Sequence, residues 1–144
     1  MVTVRDLIRR KGDVIFSVRP DDTVFAALTL MAEHNIGAVL VIDREGRLAG
    51  VLSERDYARK VVLHGQTSRE TLARDIMTDR VVCIGPDKRV EEAMALMTVS
   101  RVRHLPVTEN GRLLGVISIG DVGREIIAQQ GFVIEQLERY ICTS

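Results

Sequence analysis

Tryptophan is absent, and three phenylalanines and two tyrosines are the whole aromatic content of the 144 residues. That is too little for a base-stacking platform on single-stranded nucleic acid, and it leaves the core to Val, Ile, Leu, Ala and Met. Two cysteines, Cys83 and Cys142, make neither a disulfide framework nor a CxxC metal pair. An excess of one charge is also missing. Twenty Lys+Arg balance twenty Asp+Glu, so the formal net charge is zero. Bulk electrostatic attraction to nucleic acid or to anionic membrane is therefore not expected. Apolar runs are short, Ala38–Ile42 being typical, against the roughly 18–20 residues needed to cross a bilayer. The opening MVTVRDLIRRKGDV carries charge where a secretory signal would be apolar. The cytoplasm is the expected compartment, with no membrane and no nucleic-acid partner.

What is present is ample for a packed soluble core: 46% of residues are apolar and 28% charged. The chain also repeats itself. Pro20-Asp21 recurs as Pro86-Asp87, and Val24, Ala27, Leu30 and Met31 match Val90, Ala93, Leu96 and Met97 at one constant offset. After a one-residue deletion in a turn, Gly46-Arg47-Leu48 matches Gly111-Arg112-Leu113, and Gly50-Val51, Ser53, Asp56 and Arg59 match Gly115-Val116, Ser118, Asp121 and Arg124. Arg5-Asp6-Leu7-Ile8 resembles Arg74-Asp75-Ile76-Met77. The repeat divides the chain into a first copy with an N-terminal helix over 1–66, a second copy with its linker over 67–130, and a tail over 131–144. Each copy alone would bury too little surface, so the pair is expected to share a core.

Periodicity gives each copy the order strand, helix, strand, strand, helix. Val14–Val18 and Val81–Ile84 read as first strands. Asp21 or Asp22, and Asp87, are placed to cap helices carrying Val24, Ala27, Leu28, Met31 and Val90, Ala93, Met94, Met97 at i, i+3, i+4, i+7. Strands follow over 38–42 and 47–53, and over 104–108 and 113–118, the second pair joined by Glu109-Asn110-Gly111, a hairpin signal. Closing helices are expected over 54–63 and 120–130. Thr67 and Glu70 have capping-box spacing in the connector. Ile134, Leu137 and Ile141 give the tail an apolar stripe, for intramolecular packing or for a partner.

The polar signal common to both copies is G-h-h-S-x-x-D at a strand-to-helix junction: Gly50 to Asp56 and Gly115 to Asp121. A hydroxyl beside first-turn amides can seat an anion. A carboxylate three residues on can accept two hydrogen bonds from vicinal hydroxyls, as on a ribose. The glycine would admit a close neighbour, backbone or ligand. The structural alternative is that Ser53 and Ser118 merely cap helices and Asp56 and Asp121 merely answer the helix dipole. His34 and His64 close helices, where a positive charge is favourable. Cys83 reads as a small core residue. Cys142 lies in the tail, where a redox role or an intersubunit disulfide stays open. No spacing reads as a metal site or a catalytic triad.

The duplicated unit, the twin G-h-h-S-x-x-D junctions, Ile76-Met77-Thr78 and Arg103–Val107 (RHLPV) together resemble a tandem pair of CBS domains, over nearly the whole chain. Ser53–Lys60 (SERDYARK) and Ser118–Asp121 (SIGD) are similar to small stand-alone bacterial members. The resemblance implies an α/β (α+β) fold of two pseudo-symmetric units packed sheet to sheet. It also implies two clefts for an adenosine derivative, AMP first, with ADP, ATP, NAD or S-adenosylmethionine as alternatives. By the motif, Ser53 and Ser118 would meet phosphate and Asp56 and Asp121 the ribose. Backbone of 15–18 and 82–84, including Val18 and Ile84, would meet the adenine edge. Ile36, Ala38, Val102 and Leu105 would wall the base, although Ile36 and Val102 could equally be core.

The second copy has Arg101, Arg103 and His104 where the first has Asn35, Gly37 and Ala38. In related modules the RH position of one unit reaches towards the partner unit's nucleotide. Arg55, Arg59, Arg103 and His104 would then gather at the Ser53/Asp56 cleft and favour the more phosphate-rich ligand there. The alternative is a solvated face or an intersubunit salt-bridge network. The family implies a homodimer, built on apolar surface of the first helices and the tail, that signals to an effector protein. A non-ligand-binding scaffold and a nucleotide-acting enzyme are the competing functions. The second lacks an arranged nucleophile, metal or acid/base pair.

Overall fold

A computed structural model describes residues 1–12 and 14–130. Among these the element order is α1 (Val4–Lys11), β1 (Ser17–Val18), α2 (Val24–His34), β2 (Ala38–Ile42), β3 (Leu48–Ser53), α3 (Glu54–Lys60), a 3₁₀ turn (Val62–His64), α4 (Ala73–Ile76), α5 (Val90–Ser100), β4 (His104–Glu109), β5 (Arg112–Ser118) and α6 (Ile119–Gln129). Two compact units result, one over residues 14–81 and one from 1–12 with 82–130. The tail stripe at Ile134, Leu137 and Ile141, and Cys142, lie outside the described residues.

In the 14–81 unit, β2 pairs antiparallel with β3 and parallel with the two-residue β1. Alternation turns Val39 and Val41 of β2 and Leu52 of β3 inward. There they meet Val24, Ala27 and Met31 of α2 and Ala73 and Ile76 of α4. The α2 stripe thus faces the sheet at helical spacing. In the other unit β4 pairs with β5 through a two-residue turn. Asn110 (φ 52) and Gly111 (φ 77) both adopt the left-handed backbone that this tight hairpin requires, as the Asn-Gly pair predicts. The corresponding turn of the first unit is longer. Asp43 Oδ1 stabilises it by accepting from the amides of Glu45 (3.0 Å) and Arg47 (2.9 Å).

The spatial units differ from the sequence repeats in their first segments. Helix α1 precedes the first repeat, yet Val4, Leu7 and Ile8 are buried with Val90, Ala93 and Met97 of α5. The Val4 and Arg5 amides donate to the carbonyls of Lys88 and Pro86, both at 2.8 Å. In the same way α4, from the linker, completes the 14–81 unit: the Ala73 and Arg74 amides donate to Asp22 (2.8 Å) and Pro20 (3.0 Å). Each unit is therefore one repeat closed by the entry segment that lies before the other.

Several local expectations are corrected. The second copy has no regular first strand: only Ile84 bridges β4, at Val107. The first copy's strand is confined to Ser17–Val18. Thr23, not Asp21 or Asp22, caps α2, its hydroxyl accepting from the Ala26 amide at 3.1 Å. No side chain caps α5, whose Arg89 amide instead donates to Glu92 at 2.9 Å, while Asp87 pairs with Arg5. Thr67 caps no helix. Its carbonyl takes the Glu70 amide (3.3 Å) and the hydroxyl of buried Thr71 (2.7 Å). Cys83 is exposed, not core, and partial burial pushes its thiol pKa up, away from a reactive thiolate.

The repeated glycines admit the entry segments. A Cβ on Gly50 would lie 2.8 Å from both Met77 Sδ and the Thr78 carbonyl, and one on Gly115 2.8 Å from Ile8 Cδ1. The close neighbour foreseen at these positions is thus the entry segment of the same unit. The Thr78 carbonyl is fixed by pairing with Val51, whereas Ile8 Cδ1 ends a flexible side chain. Gly50→Ala should therefore cost about 2 kcal/mol, and Gly115→Ala clearly less. Urea denaturation of the two variants checks this, and equal costs would contradict it.

Candidate functional site

Both G-h-h-S-x-x-D junctions fold alike. The serine leaves its strand in extended backbone (Ser53 φ −119, ψ 163; Ser118 φ −104, ψ 165) and is the N-cap of the next helix. Its hydroxyl accepts from the aspartate amide, at 3.2 Å for Ser53–Asp56 and 3.1 Å for Ser118–Asp121. The aspartate returns the bond: Oδ2 accepts from the serine amide at 3.0 Å and 2.8 Å respectively. These are capping boxes, with aspartate in the place usually held by glutamate. Both of the caps foreseen for these serines are present.

The carboxylates do more than cap. Asp56 Oδ1 faces Lys60 Nζ at 3.1 Å and Thr78 Oγ1 at 3.5 Å. Asp121 Oδ1 accepts from Arg124 at 2.9 Å, and its Oδ2 also accepts from Lys11 Nζ at 2.9 Å. The two side chains remain 14% and 17% exposed, so each is held in place yet reachable from solvent. Burial works against the Asp121 charge, but the Ser118 amide and the Lys11 ammonium outweigh it, and the group titrates below the ordinary carboxylate range.

The residues facing each serine across the sheet differ. Ala38 stands opposite Ser53, and His104 opposite Ser118. His104 thus belongs to the neighbourhood of Ser118 and Asp121 within its own unit, and exposed Arg103 precedes it. Arg55 and Arg59 project from α3 into solvent and have no ion-pair partner among the described residues. Ile36 and Val102 are partly buried against the cores of their units, and Ala38 is half-buried. Leu105 is 0% exposed, and its side chain packs in the core of its unit. Strand alternation is the reason: His104 takes the outward position and Leu105 the inward one. The Ile84 amide and carbonyl are spent on β4, at Pro106 and Thr108, both 3.0 Å. The side chains of Val18 and Ile84 are core.

Sequence reasoning missed Lys11 and Thr78 as site residues. Thr78 ends the Ile76-Met77-Thr78 motif, and its repeat counterpart is Arg9 in the last turn of α1, so aligning the entry segments would have drawn attention to that end of α1, two residues before Lys11. Among the described residues no group of three or more His, Cys, Asp and Glu could hold a metal ion, and no helix is long and apolar enough to cross a membrane.

Two repeats of mixed helix and strand, each ending in the same serine–aspartate box, define a paired α/β repeat protein. The sequence matches the CBS domain family twice, over residues 4–63 and 73–128, and the chain belongs to that family. A CBS-domain protein from Burkholderia ambifaria MC40-6, described as a signal-transduction protein, is 46% identical in sequence. It superposes with a TM-score of 0.86 over 92% of this chain and 99% of that one. A CBS-domain-containing protein of Agrobacterium tumefaciens is 40% identical with a TM-score of 0.82, over 87% and 93% of the two chains. The mitochondrial CBS domain-containing protein CBSX3 of Arabidopsis thaliana is 36% identical, over 96% of this chain and 71% of that protein.

The His104 environment has a consequence for stability. Desolvation lowers its pKa, Lys11 and Arg103 lower it further, and Asp121 opposes them. The unfolded imidazole, near 6.5, then takes up its proton before the folded one, so this contribution is complete above that pH and is lost as pH falls towards the folded pKa. The drop in urea midpoint between about pH 7.5 and about pH 5.5 should be smaller in His104→Gln than in the parent. An identical drop in both would contradict the assignment.

Proposed function

We propose that this chain is a regulatory module that binds adenosine-containing nucleotides at Ser53/Asp56 and Ser118/Asp121 and acts on a partner protein. AMP is the first candidate, and ADP, ATP and NAD share the recognised sugar and phosphate. The observation that carries the reading is the pair of aspartates. Each is fixed by its capping box yet directs a carboxylate towards solvent beside cationic side chains. Such a group suits the vicinal hydroxyls of a ribose, and the adjoining cations suit phosphate. Membership of the CBS family, and a relative described as a signal-transduction protein, support it.

Arg55 and Arg59 are the phosphate-directed side chains of the Ser53/Asp56 site, and the preference of that site for a phosphate-rich ligand rests on them. At the Ser118/Asp121 site Arg103, Arg124 and Lys11 supply the charge, with His104 beside the serine. Ile36, Ala38 and Val102 remain the apolar side chains offered to the base. A homodimer is part of the proposal, supported by the exposed apolar side chains of Phe25 on α2 and Val99 on α5. Turnover is not part of it.

A purely structural role is the second reading, favoured by the two complete capping boxes. Calorimetry with AMP, ATP and NAD separates the two. Asp56→Asn with Asp121→Asn keeps one oxygen to accept the serine amide but removes the charged two-oxygen acceptor. The double variant should fold, by circular dichroism, and lose nucleotide affinity by at least about tenfold. Undiminished affinity in a folded double variant, or no binding by the parent, would leave the scaffold.

A further inference from the structure

A carboxylate offers about four acceptor positions, two on each oxygen. At Asp56 all four are filled: Oδ2 by the amide and hydroxyl of Ser53, both at 3.0 Å, and Oδ1 by Lys60 (3.1 Å) and Thr78 (3.5 Å). At Asp121 the Ser118 amide (2.8 Å) and Lys11 (2.9 Å) meet Oδ2, Arg124 (2.9 Å) meets Oδ1, and the Ser118 hydroxyl also bonds the carboxylate. A vicinal diol needs two positions on one carboxylate. It fits at neither aspartate until something leaves. The serine amides are integral to the caps, so the side chains must yield.

Among those side chains the lysines have a second attachment. Lys11, the last residue of α1, also donates to the Val116 carbonyl at 3.0 Å. Lys60 also donates to the Ile76 carbonyl at 2.9 Å, at the end of α4. Val116 and Val51 are repeat counterparts, so each lysine joins the site aspartate to the entry segment of its unit. In one unit the lysine comes from the entry helix, in the other from the site helix. Both are close to half exposed, and exposed ion pairs are weak enough to exchange.

We propose that Lys11 and Lys60 are displaceable occupants of Asp121 and Asp56, evicted when a ribose diol binds, and that eviction loosens the C-terminal ends of α1 and α4. The proposal rests on the nucleotide reading above and adds its transmission. Occupancy at a site becomes a change in the segment that enters that unit.

The test uses adenosine, which has the diol without phosphate, so loss of a cation cannot weaken it through lost phosphate attraction. Calorimetry should show adenosine binding about threefold to fivefold tighter in Lys11→Met, measured in an Asp56→Asn background so that only the Asp121 site reports. Lys60→Met in an Asp121→Asn background should behave likewise. Hydrogen exchange of α1 amides should rise when the parent binds AMP, and should already be raised in Lys11→Met without it. Equal or weaker adenosine affinity in both lysine variants, or α1 exchange that neither AMP nor Lys11→Met changes, overturns the proposal while leaving nucleotide binding intact. A parent that binds neither AMP nor adenosine overturns the nucleotide reading itself.

Discussion

The structure depends on one reciprocal contact, made twice: a serine hydroxyl on the aspartate amide and the aspartate carboxylate on the serine amide. It ends a strand and starts a helix within three residues, and satisfies amides that the first turn would otherwise leave without partners. It also fixes a carboxylate at the rim of the unit instead of leaving it on a flexible side chain. Preorganising a charged acceptor in this way lowers the ordering cost of binding. In the proposed reading, cap and binding group are one arrangement read from two sides, and the presence of the cap does not count against the site.

Around this contact the two units differ in charge. On the site helices, Lys60 in one copy corresponds to Glu125 in the other. Lys60 reaches the end of α4, whereas Glu125 pairs with Arg10 of α1 at 2.6 Å. The entry segments are thus matched to their units by opposite chemistry: a cation meeting helix-terminal carbonyl oxygen in one, an acid meeting the basic end of α1 in the other. The repeated glycines give both segments room. An exchange of entry segments would place the basic end of α1 beside Lys60, and the mismatch opposes it.

Much of this was legible in the residues. The stripes of α2 and α5, the Asn110-Gly111 hairpin and the strand-to-helix junctions depend on local spacing, which the sequence states directly. The less legible features depend on partners far apart in the chain. Helix α1 looks like part of the first repeat because it precedes it, but its apolar face is completed by α5. The stretch before α5 looks like a strand, but among the described residues it forms no regular strand, with an isolated bridge from Ile84 to Val107. That Leu105 turns inward and His104 outward follows from the register opposite β5, which depends on a partner strand. Lys11 is not recognisable from the sequence as a neighbour of Asp121, because 110 residues separate the two.

The central claim is that Asp56 and Asp121 hold sugar hydroxyls. It is tested most directly by comparing AMP with its 2′,3′-dideoxy analogue by calorimetry on the parent protein. The analogue keeps base and phosphate and lacks only the groups assigned to the carboxylates. The account predicts that the analogue binds at least about tenfold more weakly, because the acceptors would be left without donors. Equal affinities would contradict it.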